Sequence, residues 1–266
     1  MLEQKNKVEI DSKFQQCMKQ EGNVLRIDAE GVYYRDLNAL LRQAIYLNVE
    51  RIEVHNVCGQ RYLGTDLDTD MQIDIYGTPG NDLGAFMNGP KLVIHGNGQD
   101  GSGNTMNEGQ IIIHGHAGDV TGNSMRGGKI FVRDYVGYRV GIHMKEYKTK
   151  IPQIVIGQTA GDFLAEYMAG GVMVILGLNL KEGEKCKAKF VGTGMHGGVI
   201  YERGEILEPV NGTKTLEAGK RDLKTIEALV KEYCSHFGAD PNQVMAHKFM
   251  KIMPVSKRPY EKLFSH

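Results

Sequence analysis

The chain has 266 residues, and its 32 lysines and arginines balance 32 aspartates and glutamates, so the formal net charge is zero. This balance provides no electrostatic patch of the kind that binds nucleic acid or an anionic membrane. The N-terminal segment lacks the apolar core of a signal peptide, and no apolar run is as long as a membrane span. The four scattered cysteines form no C-x-x-C pair and suit reduced thiols. We therefore expect a cytoplasmic protein that binds neither nucleic acid nor membranes.

The first predicted element is a helix over residues 36–47, within an N-terminal segment that we assign to residues 1–50. Leu37, Leu40 and Leu41 have helical spacing there, and Asp36 is suited to cap the helix. We expect this helix to close one end of the domain that follows.

From residue 73 the sequence repeats with a period of 19 residues. Each block opens with an apolar triplet, and the blocks begin at Ile73, Leu92, Ile111, Ile130, Ile154, Met173 and, less regularly, Ile200. A fixed period of this size indicates stacked structural units. Short strands separated by glycine-rich corners leave no room for a helix in a 19-residue block. We therefore predict a mainly β protein in which residues 51–204 form a parallel β-helix of about seven turns, flanked by short α-helices.

Two residue types recur in register along these blocks. Glycine recurs at the eighth and twelfth positions, where a residue that is free to adopt positive φ would ease a sharp bend. These glycines are Gly80, Gly118, Gly137 and Gly161 at the eighth position, and Gly84, Gly103, Gly122, Gly141 and Gly192 at the twelfth. Methionine recurs at the fifteenth position, which we interpret as an internal stack of Met87, Met106, Met125, Met144, Met168 and Met195.

Residues 96–101 spell G-x-G-x-x-G directly after a strand-like run, as in a dinucleotide-binding turn. That motif requires a helix after the glycines, but Gly103 and Gly109 follow and the next apolar strand begins at Ile111. Since 26 of the 34 glycines lie between residues 73 and 199, such a match arises easily by chance. We predict no nucleotide site here.

The C-terminal segment, residues 205–266, is predicted to pack on the β-helix. Residues 225–237 have apolar side chains at helical spacing, including Ile226, Leu229 and Tyr233. The tail from residue 250 has two prolines and no clear period, so we expect it to run over the surface. The ends of a solenoid need covers, and the two predicted helices are the candidates.

The second position of each block should face outward, yet it is apolar from the second block onward. An apolar outer column must be covered, either by the terminal segments or by another protein, which makes it a candidate interface. Its members are Val93, Ile112, Phe131, Val155 and Val174.

The sequence offers little for catalysis or metal binding. His95 and His114 share a column in adjacent blocks, but two histidines are fewer ligands than zinc takes, so we interpret them as a polar ladder. The D-x-D-x-D run over residues 66–70 lacks the glycine and distal glutamate of a calcium loop. We assign no catalytic, cofactor-binding or metal-binding residue.

One corner stays open as an acid–base site. His143 is followed by Lys145, Glu146 and Tyr147, which could also form a solvated corner or part of an interface. The insert around residues 181–187 is a second candidate contact.

The strings GAFMNGP (84–90), GIHMKEY (141–147) and FVGTGMHGGVIY (190–201) resemble the glycine-repeat (GXGXG) domain at the C-terminus of the glutamate synthase large subunit. The resemblance covers about residues 24–204. It implies a right-handed, single-stranded parallel β-helix, in agreement with the repeat.

The resemblance implies part of an enzyme. In that family an amidotransferase domain with an N-terminal cysteine performs the glutaminase reaction. An FMN domain with an iron–sulfur cluster performs the reductive amination of 2-oxoglutarate, and the β-helix domain braces both. The resemblance therefore implies a non-catalytic scaffold subunit in glutamate biosynthesis and nitrogen metabolism. Its partners would be a separately encoded glutaminase and an FMN-binding synthase subunit, and these would carry the FMN and the iron–sulfur cluster.

Other functions remain open on sequence grounds. The chain could brace a related amidotransferase complex, such as an N-methylglutamate synthase, or a formylmethanofuran dehydrogenase, which contains the same kind of domain. It could also be a stand-alone enzyme with a site near His143. Neighbouring subunits would separate the first two from glutamate synthase, and turnover by the purified chain would establish the third.

Overall fold

The computed structural model describes residues 11–181, 183–205 and 212–256. In these residues it has a 12-stranded sheet, a short 3-10 helix (Ser12–Phe14) and three α-helices, α1 (Tyr34–Ala44), α2 (Lys220–Phe237) and α3 (Pro241–Met245). The strands are β1 (Met18–Glu21), β2 (Val24–Asp28), β3 (Arg51–Cys58), β4 (Gln72–Thr78), β5 (Asn88–His95), β6 (Glu108–Ile113), β7 (Lys129–Val132), β8 (Gln153–Ile156), β9 (Ala169–Ile175), β10 (Gly197–Arg203), β11 (Thr213–Glu217) and β12 (Phe249–Pro254).

The sheet follows the chain order from β1 to β10 and ends with β12 and β11. Strands β2 to β10 pair in parallel, each with the next, whereas β1, β12 and β11 pair antiparallel at the two ends. The predicted mainly β solenoid is confirmed. The repeat region has about six turns, because the six parallel ladders from β4 to β10 join seven strands. The last block opens a strand but does not complete a turn.

Parallel pairing begins before the repeat region. Strand β2 lies within the segment assigned to residues 1–50 and pairs in parallel with β3, and α1 lies between the two strands.

The register of the parallel strands stacks equivalent residues of successive blocks. The first positions pair in series and are fully buried, as predicted, at Ile73, Leu92, Ile111, Ile130 and Ile154. The six repeat methionines are also buried, with exposures of 3% or less. Residues 101–105 form a turn and β6 begins at Glu108, so no helix follows the G-x-G-x-x-G match.

The two glycine columns serve different physical purposes. Glycines of the twelfth position have positive φ, such as +70° at Gly122, where a Cβ would lie 2.4 Å from the Ile154 Cδ1 atom of a later turn. Glycines of the eighth position have ordinary φ, so the explanation by positive φ is wrong for them. They allow close approach between turns instead. At Gly137 a Cβ would lie 2.1 Å from the Asp119 carboxylate, which accepts a hydrogen bond from the Tyr138 N–H at 2.8 Å.

Helix α1 begins earlier than residue 36. Its N-cap is Tyr33, and Asp36 lies in the first turn, so the predicted capping role of Asp36 is wrong. The Asp36 carboxylate instead accepts a hydrogen bond from Lys13 Nζ at 2.7 Å. The predicted apolar face is buried at Leu37, Leu40 and Leu41, among others.

The C-terminal segment adds one long helix and two strands. Helix α2 begins at Lys220 rather than at residue 225, and the Asp222 carboxylate accepts from the Gly219 N–H at 3.0 Å. The tail does not simply run over the surface, because β12 joins the sheet between β10 and β11 and buries Phe249 and Ile252. The rest of the predicted tail, residues 257–264, lies outside the described residues. No helix in the described part of the chain is long and apolar enough to cross a membrane.

Candidate interaction surface

The chain itself covers the apolar outer column. Val93, Ile112, Phe131, Val155 and Val174 are buried in one cluster with side chains of α2, including Ile226, Leu229, Val230 and Tyr233. Val93 is 7% exposed and the other four are at most 1% exposed. The sequence left two possible covers for this column, the terminal segments or another protein. In the structure the C-terminal segment covers it.

Polar contacts hold α2 in place over this column. The Tyr233 hydroxyl donates a hydrogen bond to the Arg133 carbonyl at 2.9 Å. Gly157 makes room for this hydroxyl, because a Cβ there would lie 1.9 Å from the Tyr233 oxygen. The Glu232 carboxylate accepts hydrogen bonds from Gln110 Nε2 at 2.8 Å and from Lys129 Nζ at 2.5 Å. The hydrogen bonds fix α2 against two successive turns, those of β6 and β7, and the close approach at Gly157 adds the turn of β8.

The same outer column is charged in the earlier turns. Arg26, Glu53 and Asp74 pair in register and lead into Val93. The Asp74 side chain is only 2% exposed, and one of its oxygens lies 2.8 Å from His95 Nε2. The apolar column predicted from the sequence begins at Val93, and Asp74 occupies the same second position in the first block.

The second Asp74 oxygen has two polar neighbours. Gln72 Nε2 donates a hydrogen bond to it at 2.8 Å. Arg51 Nε lies 2.7 Å from it but does not aim its N–H at it, so this contact is an ion pair without a hydrogen bond. The buried carboxylate is thus neutralised and bonded by its own neighbours.

The predicted histidine ladder is a stack of rings on the outer face. Successive ring centroids of His55, Tyr76, His95 and His114 lie 4.5, 4.3 and 5.4 Å apart, and Phe237 of α2 closes the stack edge-on at 5.1 Å. Burial, followed by the neighbouring His95, lowers the pKa of His114 and favours its neutral form. In the described residues no three His, Cys, Asp or Glu side chains are grouped as metal ligands. The side chains of the ladder therefore pack ring on ring along the outer face.

Twelve of the described non-glycine residues between 73 and 199 have left-handed backbone conformations, and ten of them flank the twelfth position of their blocks, with φ between +50° and +61°. These ten fall in two columns. The tenth position holds Asp82, Val120, Arg139, Phe163 and Phe190, and the fourteenth holds Phe86, Thr105, Ser124, His143 and Tyr167. Sequence reasoning missed both columns because their residue types do not signal positive φ. Each such residue costs on the order of 1–3 kcal/mol, and its conformation persists only because the surrounding structure imposes it.

The C-terminal end of these columns is aromatic and exposed. Phe163 and Phe190 stack at 4.9 Å, the Arg139 guanidinium lies 4.8 Å from the Phe163 ring centroid, and His143 stacks on Tyr167 at 5.4 Å. Phe190 is 51% exposed and Tyr167 is 42% exposed. We call these five residues the aromatic wall.

The residues after His143 do not assemble into a catalytic set. Lys145, Glu146 and Tyr147 are exposed, whereas Met144 is buried. The Glu146 carboxylate accepts a hydrogen bond from the Gly171 N–H at 3.1 Å, and His143 stacks on Tyr167. At this corner Glu146 therefore binds a backbone N–H and His143 packs on an aromatic ring.

The buried cysteines are poor nucleophiles. Cys17, Cys58, Cys186 and Cys234 are free thiols. Burial raises the pKa of both Cys186 and Cys234, which disfavours the reactive thiolate.

Comparison with known proteins agrees with the repeat. The family model described as the GXGXG motif matches residues 39–255. An uncharacterized protein of Methanocaldococcus jannaschii is 47% identical over an alignment of 249 residues, and the match covers 90% of this chain and 95% of that relative. The match extends past residue 204, so it includes α2 and β12 together with the solenoid. The chain belongs to the GXGXG motif family.

Proposed function

We propose that this protein is a non-catalytic scaffold subunit of a glutamate synthase-type complex in the cytoplasm. Separately encoded glutaminase and FMN-binding synthase subunits would perform the glutamine-dependent reductive amination of 2-oxoglutarate. Membership of the GXGXG motif family over residues 39–255 supports this proposal. Under it, the FMN and the iron–sulfur cluster belong to the partner subunits.

The observation that carries a scaffold role is the aromatic wall. At each left-handed position of the wall, glycine would adopt the same backbone conformation with less strain. The stability of the fold therefore does not explain why these positions carry large side chains. Phe190 and Tyr167 also remain about half exposed, so they add little to the core. Aromatic residues and arginine are enriched at protein interfaces. We therefore assign the wall as the contact with a partner subunit.

The charges of the wall favour an uncharged partner surface. The Arg139 side chain donates a hydrogen bond to the Glu166 carboxylate at 3.0 Å and lies over Phe163. Its charge is thus balanced within the chain. The partner would present apolar or aromatic groups, with Lys145, Glu146 and Tyr147 at the rim of the contact.

The proposal is tested by co-expressing the chain with the glutaminase and FMN-binding synthase subunits of the same genome. We expect the three proteins to co-elute in size-exclusion chromatography and to form glutamate faster than the two partners alone. We expect the isolated chain to bind no flavin and to show no turnover. Equal assembly and activity without this chain, or turnover by the chain alone, would refute the scaffold function.

Paired glycine variants test the wall directly. Tyr167→Gly and Phe190→Gly relieve backbone strain, so they should leave the free energy of unfolding within about 1 kcal/mol while abolishing co-elution. Phe86→Gly is the matched control, because Phe86 has φ +60° and is 50% exposed but lies at the other end of its column. It should keep co-elution. Retained assembly by the Tyr167 and Phe190 variants would place the contact elsewhere.

A further inference from the structure

The insert of the sixth block lines a cavity that the repeat does not explain. Residues 178–187 (LNLKEGEKCK) have no counterpart in the other blocks. Together with the end of β10 and the residues before β12, residues 180, 181 and 183–185 of the insert line an open cavity of about 680 Å³. Volumes of this size are typical of small-molecule sites. Insertions into repeats often form binding loops.

The described lining of this cavity carries an excess of positive charge. Lys181, Lys185, Arg203 and Lys248 face two acids, Glu184 and Glu205. Lys185 and Lys248 share the Glu205 carboxylate, at 3.1 and 3.4 Å. One carboxylate thus serves two ammonium groups, and the described part of the lining keeps unbalanced positive charge.

The Glu184 carboxylate is also engaged locally. It accepts a hydrogen bond from the backbone N–H of Lys181 at 3.0 Å. The Lys181 ammonium has no ion pair among the described residues.

Arg203 is the best-positioned cation of the cavity. Its guanidinium is half-buried and donates hydrogen bonds to two backbone carbonyls, those of Leu176 and Gly177, the latter at 3.1 Å. Within the described residues it has no carboxylate partner. These bonds hold the guanidinium plane and leave its other N–H groups for a ligand. A fixed, partly desolvated guanidinium without a counterion favours an oxyanion.

We propose that this cavity binds a small metabolite that carries a carboxylate or phosphate group. Arg203 would donate to the oxyanion, and Lys181 would contribute the second positive charge from the insert. The site is independent of the aromatic wall, so it would be occupied in the isolated chain as well as in a complex.

Calorimetric titration of the full chain with sodium phosphate, and separately with sodium succinate, tests this proposal. We expect saturable binding of at least one anion at one site per chain, weakened by added sodium chloride. Tighter binding of phosphate or of succinate identifies which oxyanion the site prefers. Absence of saturable binding for both anions would overturn the proposal.

Three variants localise the site. Arg203→Lys should weaken binding about tenfold, since it removes the fork of donors. Lys181→Gln lies in an exposed loop and should weaken binding several-fold with the fold intact, as circular dichroism would verify. Lys224→Gln on the exposed face of α2 is the matched control, because it removes the same charge outside the cavity. Equal losses for Lys181→Gln and Lys224→Gln would show non-specific charge attraction and refute the site.

Discussion

Replacing Glu202 by glutamine should stabilise the folded chain above neutral pH. Glu202 lies opposite Ile175 of β9, so it occupies the inward-facing third position of its block. Earlier turns have isoleucine or valine there, for example Ile156 and Val132. The side chain is 7% exposed, and burial raises its pKa from 4.5 to about 7.

The direction and size of the effect follow from this pKa. A carboxyl group whose pKa rises on folding holds its proton more tightly in the folded chain, so the free energy of unfolding decreases as the pH rises from 4.5 to about 7. At about 1.4 kcal/mol per pH unit, the loss above pH 7 amounts to about 3 kcal/mol. Glutamine has nearly the same volume and does not ionise. The variant should therefore match the parent near pH 4.5 and exceed it by up to about 3 kcal/mol at pH 8.

Urea unfolding followed by far-ultraviolet circular dichroism at pH 5 and pH 8 measures this difference. Glu217→Gln is the control, because Glu217 is an exposed glutamate on β11 and its loss should leave the pH dependence of the parent unchanged. If Glu202→Gln changed stability equally at both pH values, the burial of an ionisable carboxyl group in the last turn would not be the source of the pH dependence.

Other substitutions test the packing of the solenoid and its cover. Met125→Ala should lower the free energy of unfolding by about 2–5 kcal/mol, because the side chain is fully buried in mid-stack. A neutral result in urea unfolding would contradict this. Gly122→Val should be comparably harmful, since it combines φ +70° with a contact at 2.4 Å to Ile154. Tyr233→Phe removes the hydrogen bond to the Arg133 carbonyl and should cost about 1 kcal/mol. Hydrogen exchange should then speed up in α2, and unchanged protection there would show that packing alone holds the helix.

The repeat could be read from the sequence because a solenoid stacks equivalent residues. When each turn pairs with the next, residues 19 apart, such as Ile73 and Leu92, meet across the ladder. The period therefore predicts both the fold and the members of the inner stack. It also explains why the G-x-G-x-x-G spelling at 96–101 is a by-product, since β6 follows at once without a helix.

Other features depend on contacts that no local pattern encodes. Gly122 and Gly137 look alike in the sequence, but one needs positive φ and the other needs room for the Asp119 carboxylate of the preceding turn. The left-handed conformations of Phe163 and Phe190 are imposed by the corners of the coil rather than by residue type.

The sequence did not determine which segment covers the outer column, and only the tertiary structure shows it. The spacing of Ile226 and Tyr233 indicates that α2 has an apolar face, and the spacing of Phe131 and Val155 indicates that the sheet has an apolar column. An amphipathic pattern indicates that a surface must be buried, but it does not indicate which other surface will cover it. The choice rests on specific long-range contacts, such as the Tyr233 hydroxyl on the carbonyl of Arg133, 100 residues earlier. Such a contact requires the turn that contains Arg133 and the helix that contains Tyr233 to lie side by side, which no local pattern encodes.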